Sequence, residues 1–354
     1  MVTRIAAATL RDLCTALFRA AGSTEDEAMI VAAHLVDANL VGHDSHGAIR
    51  APKYLDWVAA GELLPNRHAT TALDAGGLLL LDGGFGYGQV IGREAMTLAV
   101  QRTRHLGACV LGIRNSGHLG RIGAWAEQLA AAGLVSVHFV NTSGYGILVA
   151  PYGGAERRLS ANPIAAGAPG PHGPIVLDIA TSATAEGKIQ VARNKGEALP
   201  PGLVLDGHGA PTTDPGAFYG PPAGSILPFG GHKGYGLSVF CEVLAGALTG
   251  GGASHPRNPS AWRLVNNMLT IAVDPAALGA AEAFGLDVAQ LEAWIKSAAP
   301  VVPGQPILLP GEVEARIRAQ RELEGIPLDA ITRTQLSAAA HRLGVAVPKE
   351  LADG

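Results

Sequence analysis

A chain of 354 residues with 26 Lys and Arg against 30 Asp and Glu carries a formal charge of −4 at neutral pH. That balance, without a basic run, excludes nucleic acid and an anionic membrane surface as the main partner. The length suffices for roughly two domains with a sizeable core. The three cysteines, Cys14, Cys109 and Cys241, lie far apart in apolar contexts. They read as reduced core thiols, not as a disulfide framework or a metal cluster. Arg4, Arg11 and Asp12 interrupt any leading apolar run, and no apolar span approaches membrane length. A cytoplasmic protein is expected.

Residues 9–21 put Leu10, Leu13 and Leu17 on one helical face, ended by Gly22. Ser23 reads as the N-cap of the next helix, and Glu25, Asp26 and Glu27 suit its positive end. That helix runs to about Val41. The following stretch, 42–54, holds Pro52, which is best tolerated in a first helical turn. If 42–54 is helical throughout, His46, Arg50 and Tyr54 share a face. The chain up to about Pro65 is expected to be all-helical.

The character then changes. Residues 77–82 read as a strand, followed by a glycine-rich turn over 83–88 and a helix carrying Val90, Ile91, Ala95, Met96 and Ala99. A dinucleotide fingerprint fails here: counted from Gly84 the third glycine position holds Gln89, and from Gly86 it holds Ile91. The turn is expected to be a hairpin or the start of a helix. Residues 108–113 form a short apolar strand, Asn115-Ser116-Gly117 a turn, and Ile122, Trp125, Ala126 and Leu129 a helix capped near Gly133. Residues 134–140 give a further strand. His118 thus falls in a strand-to-helix loop, where it either transfers protons or merely satisfies loop backbone.

Residues 175–180 read as a buried strand with Asp178 in or at its end. A carboxylate there must be paired or hydrogen-bonded; the structural alternative is a cap on a turn or on the helix holding Lys188 and Val191. Residues 200–222 are rich in Pro, Gly and Asp and suggest a long surface excursion. Residues 227–236 lead into an apolar helix with Leu237, Phe240, Cys241, Leu244 and Leu248. Glycines before that helix, with Lys233, suit an anion cradle, although the spacing is not that of a Walker P-loop; otherwise they make a tight packing loop. Residues 269–274 read as the last strand. Two closing helices are expected to pack on the N-terminal unit.

Paired catalytic carboxylates at motif spacing, a G-x-S-x-G elbow and H-E-x-x-H are all missing from the sequence. His43 and His46 lack a nearby third ligand, so no metal is expected. What remains is His118, the group Ser45, His46, Arg50 and Tyr54, the strand carboxylate Asp178, and the cradle at Lys233. Arg grips a carboxylate in two places, and a His beside a carboxylate suits proton transfer. These residues fit 2-hydroxy-acid or 2-imino-acid redox with a nicotinamide cofactor. They also fit a sugar-acid lyase or a sugar-acid binding protein.

The ordered set Gly42-His43-Asp44-Ser45-His46-Gly47, Asn115-Ser116-Gly117-His118-Leu119-Gly120, Asn162-Pro163, Leu177-Asp178-Ile179-Ala180, Gly187-Lys188-Ile189, Pro211-Thr212-Thr213-Asp214-Pro215 and Gly230-Gly231-His232-Lys233-Gly234-Tyr235-Gly236-Leu237 resembles the type-2 malate/L-lactate dehydrogenase family. That family also holds ureidoglycolate, sulfolactate and diketogulonate-type dehydrogenases and the piperideine-2-carboxylate (cyclic ketimine) reductases. The likeness spans roughly Ile5 to Val345. It implies an α/β (α+β), non-Rossmann fold. A helical domain would come from both chain ends (1–70 plus 310–354), and a nucleotide-binding and substrate domain with a mixed or antiparallel sheet from 71–309, with an excursion near 195–225. It implies a homodimer, a small carboxylate substrate, and NAD or NADP as cofactor. By the same resemblance His118 is the proton donor and acceptor, and Ser45 and His46 line the reaction site in a relay with Asp178. Arg50 and Tyr54 would hold the substrate carboxylate. Thr142, Ser143, Asn162, Asp178, Ile179, Ala180, His232, Lys233 and Gly234 would contact the cofactor. Two stretches differ from relatives: Glu186 replaces an Arg or small residue, and Asn266-Asn267-Met268 replaces a glycine-rich turn.

Overall fold

The structure is a computed structural model and describes residues 3–260 and 262–352. The chain starts with a short strand, β1 (Thr3–Ile5), which the all-helical expectation missed. Three helices follow: α1 (Ala7–Ala20), α2 (Glu25–Leu40) and α3 (Ala51–Ala59). Leu10, Leu13, Cys14, Leu17 and Phe18 of α1 are buried, as their spacing requires. The cap of α2 is Thr24, not Ser23: its hydroxyl accepts the Glu27 N–H, while Ser23 is buried. Residues 42–54 are not one helix. Two 3₁₀ turns, Asp44–His46 and Ala48–Arg50, precede α3, and Pro52 lies in the first turn of α3. The break falls at Gly47, whose ψ of −154° is not helical, and the missing side chain lets the backbone pass the Asn39 amide that a Cβ would overlap.

The middle of the chain supplies β2 (Thr70–Ala75), β3 (Leu78–Asp82), α4 (Gly88–Leu106), β4 (Ala108–Ser116), α5 (Gly123–Ala131), β5 (Val135–Ser143), β6 (Ile164–Ala168) and β7 (Ile175–Ile179). After α6 (Glu186–Lys195) come β8 (Val204–Leu205), β9 (Pro211–Thr212), α7 (Pro215–Tyr219) and β10 (Ser225–Ile226). Then α8 (His232–Cys241) runs into a π-helical turn, Glu242–Ala247, before β11 (Val265–Val273) and α9 (Ala281–Lys296). The chain closes with α10 (Glu312–Glu324), β12 (Ile326–Leu328), α11 (Ala330–Leu343) and α12 (Lys349–Ala352).

Seven strands form one mixed sheet in the order β2-β3-β4-β11-β5-β6-β7, with only β3 and β4 parallel neighbours. This is not the parallel sheet of a Rossmann unit, in line with the failed fingerprint. β11 enters between β4 and β5 and pairs antiparallel with both. It is therefore neither the last strand nor confined to 269–274. It begins at Val265, so Asn266-Asn267-Met268 is strand with a bulge, not a turn. Being central, β11 is buried on both faces, and an apolar alternation had no reason to mark its start. α4 and α5 cover one face over a core that includes Leu81, Ile91, Met96, Ile113, Trp125 and Met268. β7 is an edge strand with Leu177 exposed, not the fully buried strand expected.

Residues 195–225 are not a loose excursion. β8, β9 and β10 pair into a small sheet, and Leu199, Val204, Phe218 and Ile226 share an apolar core with Val149, Leu159 and Ile189. The closing segment returns as expected. β12 pairs antiparallel with β1, and α10 and α11 meet α2 and α3. Ile326, Leu336 and Ala340 join Leu10, Leu17 and Leu35 in one core. Each fully buried Leu or Ile contributes about 1.5–3 kcal/mol relative to exposure, so both chain ends stabilise one unit.

Candidate active site

β4 ends at Ser116, and Gly117 and His118 turn the chain toward α5. The His118 Nδ1 lies 2.6 Å from the Tyr54 Oη of α3. Its ring stacks on that of His46, centroids 5.6 Å apart and planes at 13°. The first turn of α4 presses on the same loop: a Cβ on Gly88 would overlap the His118 carbonyl and the Gly117 carbonyl. The glycine-rich turn is thus the start of a helix, and Gly88 allows that helix to reach the His118 backbone. Gly88→Ala is expected to lower stability by about 1–3 kcal/mol through overpacking that backbone cannot relieve. A thermal melt that leaves the midpoint unchanged would contradict this.

The two 3₁₀ turns present the other groups. Ser45 Oγ lies 3.1 Å from His46 Nδ1, and Arg50 Nε donates to the Ser45 carbonyl at 2.6 Å. Among the described residues no carboxylate forms an ion pair with Arg50, so a half-buried guanidinium is left for an outside anion. Gly187, in the first turn of α6, brings that helix N-terminus up to Ser45: a Cβ on it would sit 3.3 Å from the Ser45 Cβ. The loop over 44–50 is braced from two sides. Asn39 Oδ1 accepts the Ala48 N–H at 2.8 Å, and its Nδ2 donates to Asp44 at 2.6 Å. Arg321 of α10 grips Asp44 with both Nη1 and Nη2, at 2.6 and 3.0 Å.

The site is electrostatically tuned toward neutral imidazoles. Burial first, then the Arg50 charge and the neighbouring histidines, push the His118 pKa well below its usual value and that of His46 down to about 3. Burial also lowers His34, whose Nε2 accepts the Arg121 N–H at 3.0 Å, to about 4. His138 on β5, held between Ser136 and Thr270, goes down to about 3. An unfolded histidine protonates near pH 6.5; these do not. The folded state therefore loses stability as pH falls from about 6.5 toward 4, by up to about 1.4 kcal/mol per pH unit for each such histidine. The melting temperature is expected to drop steeply over that window; a flat profile would contradict it.

Thr142 and Ser143 end β5, Asn162 precedes β6, and Asp178 and Ile179 end β7 with Ala180 next. Asn266 of β11 ties the two sides together. Its Oδ1 accepts the Leu119 N–H at 2.9 Å and its Nδ2 donates to Thr142 Oγ1 at 2.8 Å. Beside it Asn267 accepts the Asn115 N–H at 3.0 Å and donates to Asn141 at 2.9 Å. Asn162 is fully buried. Its amide accepts from Thr142 N and donates to Glu242 and Ser238, so its side chain holds this end of the sheet and is not open to a ligand. The Thr181 carbonyl accepts the Phe229 N–H at 3.0 Å, which joins the exit of β7 to the loop before α8. There Gly230 and Gly231 have positive φ, and His232 and Lys233 stand exposed at the N-terminus of α8.

Asp178 departs from expectation. Its Oδ2 accepts the Gly123 N–H at 2.9 Å at the start of α5. It caps a helix, but not the one holding Lys188 and Val191. Among the described residues it makes no hydrogen bond to Ser45 or His46, so only the Ser45–His46 part of the relay is formed. Burial pushes its carboxyl above the usual range against the opposing pull of His43, the Gly123 N–H and Arg121. Tyr54 also departs: its hydroxyl is engaged by His118 and by Gln89 Nε2, at 3.1 Å for the latter. Gln89 and Arg321 were missed in sequence, and Asn266 and Asn267 were noted only as a departure from relatives. The available signals were a glutamine in an apolar first turn and two asparagines ahead of an apolar strand.

A nicotinamide dinucleotide fits the residues present. Among the described residues the Ser143 Oγ is buried without a partner and Lys233 makes no ion pair, and the positive-φ glycines lead into a helix N-terminus suited to pyrophosphate. The class so defined is an oxidoreductase for small anionic substrates. Residues 5–337 match the family described as malate/L-lactate dehydrogenase. Hydroxycarboxylate dehydrogenase B from Escherichia coli (strain K12) is 44% identical over 345 residues, covering 97% of this chain and 95% of that protein. The Delta(1)-pyrroline-2-carboxylate/Delta(1)-piperideine-2-carboxylate reductase of Pseudomonas putida is 34% identical, covering 97% and 98%. The solved sulfolactate dehydrogenase of Methanocaldococcus jannaschii superposes with a TM-score of 0.86 at 33% identity, covering 98% of each chain. The chain belongs to the malate/L-lactate dehydrogenase family.

Proposed function

We propose that the protein is an NAD(P)-dependent dehydrogenase that interconverts a small 2-hydroxy acid and its 2-oxo acid. The observation that carries this is an unpaired Arg50 beside a stacked His46–His118 pair in a family of dehydrogenases. Arg50 holds the substrate carboxylate and sets its orientation. Neutral His118 takes the hydroxyl proton in oxidation; its protonated form returns a proton to the carbonyl oxygen in reduction. When bound, the nicotinamide accepts or supplies the hydride at the substrate C2. Lys233, His232 and the Gly234 backbone would hold its phosphates, with Thr142, Ser143 and residues 178–180 along the nucleotide. Ser45 and His46 close the site on the substrate side.

The Pseudomonas putida relative favours a second reading, reduction of a cyclic 2-imino acid, in which His118 protonates or deprotonates nitrogen instead of oxygen. Two units are also proposed, a helical one from 1–70 plus 310–354 and a nucleotide-binding one from 71–309, supported by the shared core of the chain ends. A homodimer is supported by Leu237, Phe240 and Leu248, left exposed along one helical stretch. No helix among the described residues is long and apolar enough to cross a membrane.

The test is spectrophotometric. Reduced nicotinamide absorbance is followed with 2-oxo acids and with piperideine-2-carboxylate, and thermal shifts are measured with NADH and NADPH separately. Silence across both substrate panels, with no shift from either cofactor, overturns the reading.

A further inference from the structure

Arg321 of α10 donates to Asp44 through two nitrogens, Nη1 to Oδ1 at 2.6 Å and Nη2 to Oδ2 at 3.0 Å. Its Nη1 also donates to the Asn39 carbonyl at the end of α2. The residue after Asp44, Ser45, offers its carbonyl to Arg50 Nε at 2.6 Å. We propose that Arg321 is a positioning residue: through Asp44 and the Ser45 carbonyl it sets the place of the Arg50 guanidinium, and so governs affinity for the substrate carboxylate. This rests on the reading of Arg50 as the carboxylate anchor.

The turn Asp44–His46 has few backbone bonds of its own: His46 N–H to the His43 carbonyl at 2.9 Å and Gly47 N–H to the Asp44 carbonyl at 3.0 Å. A turn that short fixes more dihedral freedom than two bonds offset, so its geometry comes from what grips it. The grip is on the Asp44 carboxylate, which accepts from Asn39 Nδ2 at 2.6 Å and from both Arg321 nitrogens. Only a planar guanidinium meets both carboxylate oxygens while a further N–H takes the Asn39 carbonyl. Arg50 in turn uses Nε on the Ser45 carbonyl, which leaves Nη1 and Nη2 for an anion. A two-point grip tolerates little displacement, so a shift of that carbonyl carries the anchor off the carboxylate it would hold. The Arg321 donors are taken up by Asp44 and Asn39, so Arg321 acts through the turn. Arg318, three residues earlier on α10, supplies a control. It pairs with Asp37 of α2 at 2.6 Å, and so ties the same two helices together without touching Asp44.

The hold on Arg50 is read by proton–nitrogen correlation spectroscopy on the full chain with nitrogen-15 arginine, as the solvent exchange rate of the Arg50 Nε–H. The signal is assigned by its loss in Arg50→Leu. Arg321→Met is expected to speed that exchange about tenfold, the scale of one loosened hydrogen bond, and Arg318→Met to leave it at the wild-type rate. In steady-state kinetics Arg321→Met is expected to raise the KM for the acid substrate about tenfold, with kcat and the cofactor KM within about twofold of wild type. In the Arg50→Leu background Arg321→Met should add nothing further to KM, because the group it places is gone. Arg321→Lys, which keeps the charge without the fork, is expected to fall between. Unchanged exchange in Arg321→Met, an equal change in Arg318→Met, or a KM effect that persists in full without Arg50 overturns the proposal. So does an unchanged KM in Arg321→Met where Arg50→Leu raises it. Should Arg321→Met fail to fold, Arg321→Lys against Arg318→Lys decides by the same readings. An Arg50→Leu enzyme with wild-type KM overturns instead the anchor reading and with it the effect on affinity; the exchange rates need no substrate and report separately whether Arg321 holds Arg50.

Discussion

His118→Ala is expected to lower kcat by about 10²- to 10⁴-fold, the usual contribution of a positioned acid–base group. The affinity for the nicotinamide cofactor is expected to stay near wild type. The two outcomes separate because His118 lies with Tyr54 and His46, whereas the residues proposed for the nucleotide sit at the ends of β5 and β7 and before α8. The fold should survive, since Tyr54 keeps its bond from Gln89 and the loop keeps the Leu119–Asn266 bond. Steady-state kinetics together with cofactor titration decide it. A near-wild-type turnover would remove His118 from the proton-transfer role.

Arg50→Leu is expected to lower kcat/KM by about two to three orders of magnitude, chiefly through KM, as loss of a partner from a desolvated charge pair does. It should also move the pH profile. The Arg50 charge disfavours imidazolium at both His118 and His46. Its removal raises both pKa values. Reduction consumes protonated His118, so the limb on which kcat/KM falls with rising pH shifts to higher pH in the variant. Arg50→Lys keeps the charge but not the planar fork, and should hold the pH profile near wild type while binding substrate less tightly. A leucine variant with an unshifted limb would contradict the electrostatic account. By the same coupling, a substrate carboxylate held on Arg50 as proposed would raise the His118 pKa and favour its protonated form.

Much of the architecture was legible because it rests on periodicity and punctuation. The leucines of α1, the acidic start of α2 and the glycine after α5 act within a few residues of where they stand. What escaped was non-local. β11 sits between two strands far from it in sequence, so nothing near Asn266 announces that it bonds Leu119 and Thr142. The 195–225 stretch looked like surface because Pro and Gly dominate it, yet its few apolar residues close over Val149 and Ile189. For the site, the ordered motifs placed His118, Ser45, His46 and Arg50 together. They did not announce the partners of Tyr54, Asn162 and Asp178, whose polar atoms are taken up by Gln89 and His118, by Glu242 and Ser238, and by Gly123. Residue type tells that a group will be hydrogen-bonded; only the packed structure tells by whom.

The grip of Arg321 on Asp44 joins residues 277 apart in the chain. At translation rates of about 5–20 residues per second, the arginine leaves the ribosome roughly 15–55 s after the aspartate it holds. Through that interval the Ser45–His46 turn is made but unclasped. A chain that ends before α10 lacks both guanidinium bonds to Asp44 and keeps on that carboxylate the bond from Asn39.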